Sequence, residues 1–394
     1  MLQHIARTLR GTASRAVQTL SQPLGLTLMS RLSRISVRRI SRSLLILLSA
    51  PVHAQLVVLQ YHHVDASTPE ITSVTPEQFE QHLELIESEG MTVVSLPDAL
   101  QALDNTSNKR QALPDRAVAI TFDDAYQSIA EHAAPLLEQR GWPYTVFVNT
   151  DAVDQGFSDM MSWATLNRLQ ARGATLANHT RTHPYLLDTP EGMTPEAFWK
   201  AEILGAEQRL KEETGHSHHL FAYPYGEYTP ALAQWLEDQG FTVFGQQSGA
   251  IGNANDRQLL PRFPASGQYA DLDTLTTKLL SLPFSRVTPS RIDPRLSSDS
   301  ANPPEFTLNL AVNDFDPDQL RCFATGMGAM TLSVSPQLQS NHAQDTDQIQ
   351  VRMQAPEAFQ GGRGRYNCTA PSLTESGRFY WFSQLWINTQ VFPR

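Results

Sequence analysis

The stretch AVAITFDDAYQSIAEHAAPLLEQRGWPYTVFVN, residues 117–149, places a helical pattern between two short apolar runs. The runs, 117–122 and 144–149, are rich in β-branched and aromatic residues, which is typical of buried strands. Gly141 stops the helical pattern a few residues before the second run. The stretch therefore predicts a βαβ unit, in which two parallel strands are joined by a helix.

The same alternation continues on both sides of this unit, from residue 55 to about residue 250. The first helix is predicted from Thr75 as N-cap, Pro76 at the first helical position, Gln78 completing a capping box and Gly90 as the stop. The further strand-like runs are residues 56–60, 92–94, 175–177, 220–223 and 242–244. Seven strands in βα repeat predict an α/β fold with a parallel sheet, either an open doubly wound sheet or a barrel of slightly fewer than eight units.

The pattern changes after residue 285. Residues 285–304 are rich in Pro, Ser, Arg and Asp without any period, which is typical of a linker. Apolar residues then alternate from Phe306 to Val312, and residues 349–353 and 379–387 resemble further strands, so a small antiparallel β-sandwich is expected. The predicted organisation is a leader (1–54), an α/β domain (55–285), a linker (286–305) and a C-terminal β-sandwich domain (306–394).

Both cysteines of the chain, Cys322 and Cys368, lie in the predicted β-sandwich. In an exported protein such a pair favours a disulfide bond over a metal site, and the bond would contribute roughly 4 kcal/mol in the chain-entropy model. Two unpaired buried thiols are the alternative.

Charge is distributed unevenly along the 394 residues, whose formal net charge is −10. Residues 1–54 contain eight arginines and no lysine or acidic residue, which leaves −18 for the rest of the chain. An acidic protein of this kind is not expected to bind nucleic acid, because phosphate-backbone binders concentrate Lys and Arg on one face.

The leader has the three parts of a secretion signal in order. Arg38, Arg39 and Arg42 precede the apolar run 44–48, and small residues at Val52 and Ala54 flank His53. The apolar run is far shorter than the ~20 residues that span a bilayer, so a removable signal and no stable transmembrane anchor are predicted. We therefore expect a secreted or periplasmic protein. An organellar transit peptide is the alternative, and translation starting at Met29 would explain the late position of the signal.

Polar residues follow several of the predicted strands at the edge where α/β folds place their active sites. They are His62, His63, Asp123, Asp124, His179, His183 and Tyr225. Two imidazoles and one carboxylate, from His179, His183 and Asp124, would leave an open coordination position on a hydrolytic metal ion. Two solvated surface histidines are the alternative for the pair.

Asp123 and Asp124 are adjacent, and two carboxylates at close range in a cleft repel each other. A metal ion on one of them would remove the conflict and leave the other free to accept a proton. The alternative is that the pair caps the helix that follows, which is compatible with catalysis.

Taken together, the motifs TFDD (121–124), HTRTHPYL (179–186) and FAYPYG (221–226) resemble those of the polysaccharide deacetylases, carbohydrate esterase family 4. The early LQYHHV (59–64) is similar to the branch that includes the biofilm poly-N-acetylglucosamine deacetylases. The resemblance covers roughly residues 55–265 and leaves out the C-terminal domain. It implies a distorted (β/α) barrel with about seven parallel strands.

The resemblance also implies roles for single residues. The divalent metal, usually Zn²⁺, would be bound by Asp124, His179 and His183. Asp123 would be the general base, and the backbone N–H of Tyr225 would help to hold the oxyanion. His62 rather than His63 would be the general acid that protonates the departing amine, because the family pattern fixes the histidine after Tyr61. Each role fits the chemistry, since amide hydrolysis needs an activated water, oxyanion stabilisation and a proton for a poor leaving group.

The sequence departs from the family pattern at one position. Many members have an arginine two residues before the proline of the third motif, where it would contact the general base, and this chain has Ala222 there. We expect Arg262 to supply that charge instead.

The expected function is metal-dependent de-N-acetylation of an N-acetylhexosamine polysaccharide, releasing acetate. The alternatives are an O-deacetylase, a peptidoglycan- or chitin-directed deacetylase, and a carbohydrate-binding protein without turnover. The β-domain is expected to bind glycan or a partner protein.

Overall fold

The computed structural model describes residues 55–104, 112–286, 291–297, 301–337 and 348–391. These residues belong to one compact unit. The predicted leader, residues 1–54, lies outside the described residues. None of the helices in the described ranges has the length and hydrophobicity that crossing a membrane requires.

Residues 56–264 contain the strands of a parallel sheet. Its strands, with one small separate pair (β2 and β3), are β1 (Leu56–Tyr61), β2 (His63–Val64), β3 (Ser73–Val74), β4 (Thr92–Val93), β5 (Ala117–Asp123), β6 (Tyr144–Val148), β7 (Ala174–Asn178), β8 (Leu220–Ala222), β9 (Thr242–Phe244) and β10 (Phe263–Pro264). The order in the sheet is β10-β1-β5-β6-β7-β8-β9, with β4 beside the start of β5. All seven predicted strands are present, and the sequence pattern missed β10, which is two residues long.

The sheet curls into a distorted barrel, as predicted. Strand β10 pairs with β1, and Leu260, just before β10, forms a parallel bridge with Phe244 of β9. These pairings bring the two ends of the sheet together, which an open doubly wound sheet would not do.

Helices connect the strands. They are α1 (Pro76–Ser88), α2 (Leu96–Asp104), α3 (Ala134–Arg140), α4 (Thr150–Asp154), α5 (Trp163–Gln170), α6 (Pro195–Trp199), α7 (Gly205–Thr214), α8 (Pro230–Asp238) and α9 (Leu272–Leu279). The predicted capping box of α1 is confirmed. The backbone N–H of Gln78 donates to the Thr75 hydroxyl over 3.1 Å, and the backbone N–H of Thr75 donates to the Gln78 side chain over 2.9 Å. Gly141 ends α3 in the left-handed conformation, at φ 65°.

Every residue of β1 is buried, because the strand has apolar neighbours on both faces. Val57 and Leu59 pack with apolar residues of α1 and α9, whereas Leu56 and Val58 pack with residues of α2 and with Phe147 of β6. Burial on both faces explains why the strands appear in the sequence as continuous apolar runs rather than as alternating patterns.

The C-terminal part contains β11 (Leu282–Pro283), β12 (Arg295–Leu296), β13 (Glu305–Ala311), β14 (Arg321–Ala324), β15 (Gly328–Ala329), β16 (Leu332–Gln337), β17 (Gln348–Gln354), β18 (Arg363–Pro371) and β19 (Phe379–Asn388). One sheet has the order β11-β19-β18-β14-β15 with β12 also on β19, and the other has the order β13-β17-β16. The predicted antiparallel sheets are confirmed, with β11 and β12 added as short parallel neighbours of β19.

The disulfide bond between Cys322 and Cys368 is confirmed. The two cysteines face each other as register partners on β14 and β18, and both side chains are buried in the core between the two C-terminal sheets, which we call the β-domain.

Part of the predicted linker, residues 286–305, packs against its neighbours. Arg291 forms ion pairs with Asp256 (2.7 Å) and with Glu237 of α8 (2.8 Å). Residues 295 and 296 form β12 on the edge of the C-terminal sheet.

Candidate active site

The predicted site residues meet at the carboxyl ends of the barrel strands. Asp123 is the last residue of β5, and His179 follows β7 directly. His62 follows β1, and Tyr225 lies in a short turn, Pro224–Gly226, just beyond β8. We refer to Pro224–Gly226 as the Tyr225 turn.

Asp124, His179 and His183 form a cluster in which one ligand atom from each lies within 4.8 Å of the others. The Oδ1 atom of Asp124 lies 3.4 Å from Nε2 of His183 and 3.6 Å from Nε2 of His179. This Oδ1 is buried and has no hydrogen-bond partner. A buried acceptor without a donor is costly, and a cation shared with the two imidazoles would satisfy it.

The environment of His179 leaves Nε2 available as a ligand. Its Nδ1 lies 2.8 Å from the carbonyl oxygen of Ala222, so Nδ1 carries a proton and donates to that carbonyl. Burial lowers the pKa of His179 to about 4, which keeps the ring neutral. A neutral imidazole whose other nitrogen donates to a carbonyl is the usual form of a metal-binding histidine. The cluster thus fits a divalent cation.

Asp123 is fully buried and is held by charged and polar groups. Its carboxylate accepts hydrogen bonds from both terminal nitrogens of Arg262, at 2.6 and 2.9 Å, and from the Gln60 side chain at 2.8 Å. Burial alone would raise the pKa of Asp123, but the Arg262 guanidinium and nearby imidazoles outweigh it and hold that pKa well below its usual value. Asp123 is therefore ionised at neutral pH.

Arg262 lies between β9 and β10 and is fully buried. Its Nε donates to the carbonyl of Gly245 over 3.1 Å, and its guanidinium carbon lies 5.2 Å from the centroid of the Phe147 ring. Arg262 thus contacts the Asp123 carboxylate, which is where we expected it to supply the charge that is missing at Ala222.

The two adjacent histidines after β1 have different neighbours. Nε2 of His62 lies 3.9 Å from Oδ2 of Asp123, and its side chain is 21% exposed. His63 stacks on the ring of Tyr126, with 3.6 Å between the ring centroids. Of the two, His62 is thus the one beside the carboxylate and open to a ligand.

Tyr225 contacts the cluster through its ring. The ring stacks on Tyr185, with centroids 4.3 Å apart, and meets the His183 ring edge-on at 4.6 Å. Its backbone is in the left-handed region, with φ 58°.

Left-handed backbone is concentrated in the loops that surround the site. The non-glycine residues in this conformation there are Asp124, Ala125, Thr180, His183 and Tyr225. Hydrogen bonds hold the loop after β7: the Thr180 amide donates to Asn178 over 2.9 Å, and the His183 amide donates to the Thr180 hydroxyl over 3.0 Å. Strained backbone that persists because its surroundings hold it is characteristic of functional sites.

Sequence analysis missed two residues that touch the two aspartates. Gln60 contacts Asp123, and its signal was a single polar residue inside the otherwise apolar run of β1. Burial and the neighbouring Asp124 carboxylate raise the pKa of Tyr126, and a tyrosine at the start of a predicted helix carries no comparable signal.

Comparisons with known proteins point to one family. Residues 110–244 match the family model described as polysaccharide deacetylase. A putative polysaccharide deacetylase, YxkH of Bacillus subtilis (strain 168), is 23% identical over 190 residues, covering 48% of this chain and 63% of the relative. A poly-beta-1,6-N-acetyl-D-glucosamine N-deacetylase of Escherichia coli (strain K12) is 23% identical over 248 residues, covering 53% of this chain and 36% of the relative. The chain thus spans less than two thirds of either relative.

A solved structure shares the barrel. The Streptococcus pyogenes deacetylase PplD in complex with acetate superimposes with a TM-score of 0.51 at 22% identity, covering 58% of this chain and 99% of that one. The likeness supports the fold.

Proposed function

We propose that this chain, which carries a polysaccharide deacetylase domain over residues 110–244, hydrolyses acetamido groups on an N-acetylhexosamine polysaccharide and releases acetate. The observation that carries the proposal is the buried, ionised Asp123 beside a three-residue ligand cluster whose Asp124 Oδ1 has no hydrogen-bond partner. The substrate class is supported by relatives from E. coli and Staphylococcus aureus named as poly-beta-1,6-N-acetyl-D-glucosamine N-deacetylases.

Asp124, His179 and His183 would hold the divalent cation, for which Zn²⁺ is our candidate because it accepts two imidazoles and a carboxylate and leaves a position open. When bound, the cation would supply Lewis-acid polarisation of a water molecule and of the acetyl carbonyl.

Asp123 acts as the general base in this proposal. It must be ionised to accept a proton from water, and the ion pair with Arg262 keeps it so. The hydrogen bond from Gln60 orients the same carboxylate.

His62 acts as the general acid. Amide hydrolysis expels a poor amine leaving group, which must be protonated as the C–N bond breaks. His62 lies beside Asp123 and is partly exposed, so it can reach a substrate that lies over the cluster. The backbone N–H of Tyr225 would donate to the oxyanion, and the left-handed backbone at Tyr225 sets the direction of that N–H.

We also propose that the protein acts outside the cytoplasm, with acetylated glycan as its partner. The leader composition supports export, and the Cys322–Cys368 disulfide is typical of oxidising compartments.

The test is acetate release from β-1,6-linked N-acetylglucosamine oligomers, in parallel with O-acetylated glycans. We expect release from the N-acetylated oligomers, and a loss of at least about a hundredfold in Asp123→Asn because the base is gone. Asp238→Asn, at the exposed end of α8, is the matched control and should retain activity. Release confined to O-acetylated glycans, or no release at all, would contradict the proposal.

A further inference from the structure

The β-domain packs against the barrel along the side where the sheet closes. The Trp381 ring of β19 meets the Phe263 ring of β10 edge-on, with centroids 5.3 Å apart. The Gln384 side chain of β19 donates to the Tyr228 hydroxyl, beyond β8, over 3.3 Å. The sheet of β18 and β19 thus lies over the wall between β8 and β10.

Arg363, the first residue of β18, reaches the residues around the Tyr225 turn. Its Nη2 and Nε lie 2.6 and 3.1 Å from Oε1 of Glu227, which directly follows the turn. The Glu227 side chain is 2% exposed and that of Arg363 is 38% exposed, so the ion pair links a buried carboxylate to a partly exposed arginine. Burial raises the pKa of Glu227, and Arg363 counteracts that rise.

Arg363 also contacts Tyr225 itself. Its guanidinium carbon lies 5.5 Å from the centroid of the Tyr225 ring. The same ring stacks on Tyr185 and touches the edge of His183, one of the three clustered ligands. A continuous line of contacts therefore runs from the β-domain through Tyr225 to the cluster of Asp124, His179 and His183.

A second arginine on the same face of β18 makes a similar contact with another loop of the barrel. Arg365 interacts electrostatically with Tyr269, in the short turn that follows β10. The intervening Gly364 and the next residue, Tyr366, are buried on the opposite face, towards the core of the β-domain. Two loops at the carboxyl edge of the barrel are thus held by one strand of the β-domain.

We propose that the β-domain is part of the catalytic unit and that Arg363 is a positioning residue, which holds the Tyr225 turn in its left-handed conformation beside the metal cluster. A tyrosine keeps such a backbone only where its surroundings hold it. The salt bridge to Glu227 fixes one end of the turn, and the guanidinium against the ring fixes the side chain. This inference rests on the proposed deacetylase function, since the turn matters through its oxyanion donor.

The test uses Arg363→Met, which keeps much of the aliphatic stem and removes the charge, and Arg363→Lys, which can still pair with Glu227. Arg352→Met is the matched control, because Arg352 is an exposed arginine in the other sheet of the same domain. Acetate release from N-acetylglucosamine oligomers is measured at saturating zinc, well below the melting temperature of each variant.

We expect Arg363→Met to lower kcat by about tenfold to a hundredfold, the loss typical of a displaced catalytic group, with KM changed by less than about threefold. Arg363→Lys should recover part of kcat, and Arg352→Met should match the wild type. A merely structural role would lower the melting temperature and leave kcat of the folded protein unchanged.

Two results would overturn the inference, and they are distinguishable. If the wild type releases acetate and Arg363→Met has the wild-type kcat, Arg363 does not position the turn, while the proposed function stands. If the wild type releases no acetate under any metal condition, the proposed function fails and the inference fails with it.

Discussion

The Asp123 carboxylate is held inside the barrel by one arginine and one amide side chain. Arg262 binds both of its oxygens, Gln60 donates to one of them, and none of these three side chains is open to solvent by more than a few per cent. A buried carboxylate without a partner would protonate, because burial disfavours its charged form. The ionised state of Asp123, the proposed general base, therefore depends on a residue far away in sequence.

The first prediction concerns Arg262→Met. Removing the guanidinium leaves Asp123 buried without its counter-charge, so the pKa of Asp123 rises and the base is protonated at higher pH. The acid limb of the pH–rate profile should move to higher pH, and kcat/KM at neutral pH should fall. Arg257→Met, which removes a surface partner of Asp104, is the control. Full activity with an unshifted acid limb would contradict the role of Arg262.

The second prediction compares the adjacent histidines. His62→Ala should lower kcat by about a hundredfold or more, since the leaving amine loses its proton donor, whereas His63→Ala should affect mainly stability because His63 stacks on Tyr126. Measuring kcat beside the melting temperature separates the two effects. If His63→Ala lost more kcat than His62→Ala, the assignment of the acid would be reversed.

At the scale of elements, the Tyr225 turn depends on the glycine at its end. Gly226 has φ 75°, and a Cβ atom there would lie 2.8 Å from Cβ of Gln246. Gly215, at the end of α7, has φ 76° and open space around the same position. The two glycines thus differ in crowding and share their backbone conformation.

The third prediction compares an alanine substitution at each of these two glycines. Gly215→Ala should cost about 1 kcal/mol of stability through its left-handed backbone and leave kcat unchanged. Gly226→Ala should cost more and also lower kcat, because the displaced turn carries the Tyr225 N–H. Denaturant unfolding and acetate release give the two readouts. Equal kcat in both variants would show that the turn does not shape the site.

The sequence predicted the elements well where the physical signal was local. The six longer barrel strands, β1 and β5 to β9, are almost entirely buried and appear as largely apolar runs, and the capping box of α1 is a contact between residues three positions apart. Strand β10, with two residues, carries no periodicity. The interaction of Tyr126 with Asp124 likewise has no local signature, although the two residues are only two positions apart.

At the scale of the whole molecule, closure of the sheet is the feature that the pattern of strands and helices alone left open. The choice between an open sheet and a barrel is decided by pairing between β1 and β10 and by the bridge from Phe244 to Leu260. The approach of Arg363 to Glu227 joins residues 136 positions apart, one in strand β18 and the other in the loop after β8. Such contacts follow from the packing of complete elements, which no local pattern encodes.

The fourth prediction concerns the disulfide of the β-domain. Replacing both Cys322 and Cys368 with serine should lower the free energy of unfolding by about 4 kcal/mol, the value expected for a loop of this size. The midpoint of denaturant unfolding should move down accordingly, and the wild type in strong reductant should behave alike. An unchanged midpoint in both would show that the bond adds no stability.

The central claim is that the cluster of Asp124, His179 and His183 holds one metal ion that hydrolysis of the acetamide requires. The most direct test is to remove metal from the protein and follow acetate release while zinc is added back. We predict no release from the metal-free protein, a rise that saturates at one equivalent of zinc, and no rise in Asp124→Asn. Acetate release that persists after metal removal, or that Asp124→Asn retains, would contradict the claim.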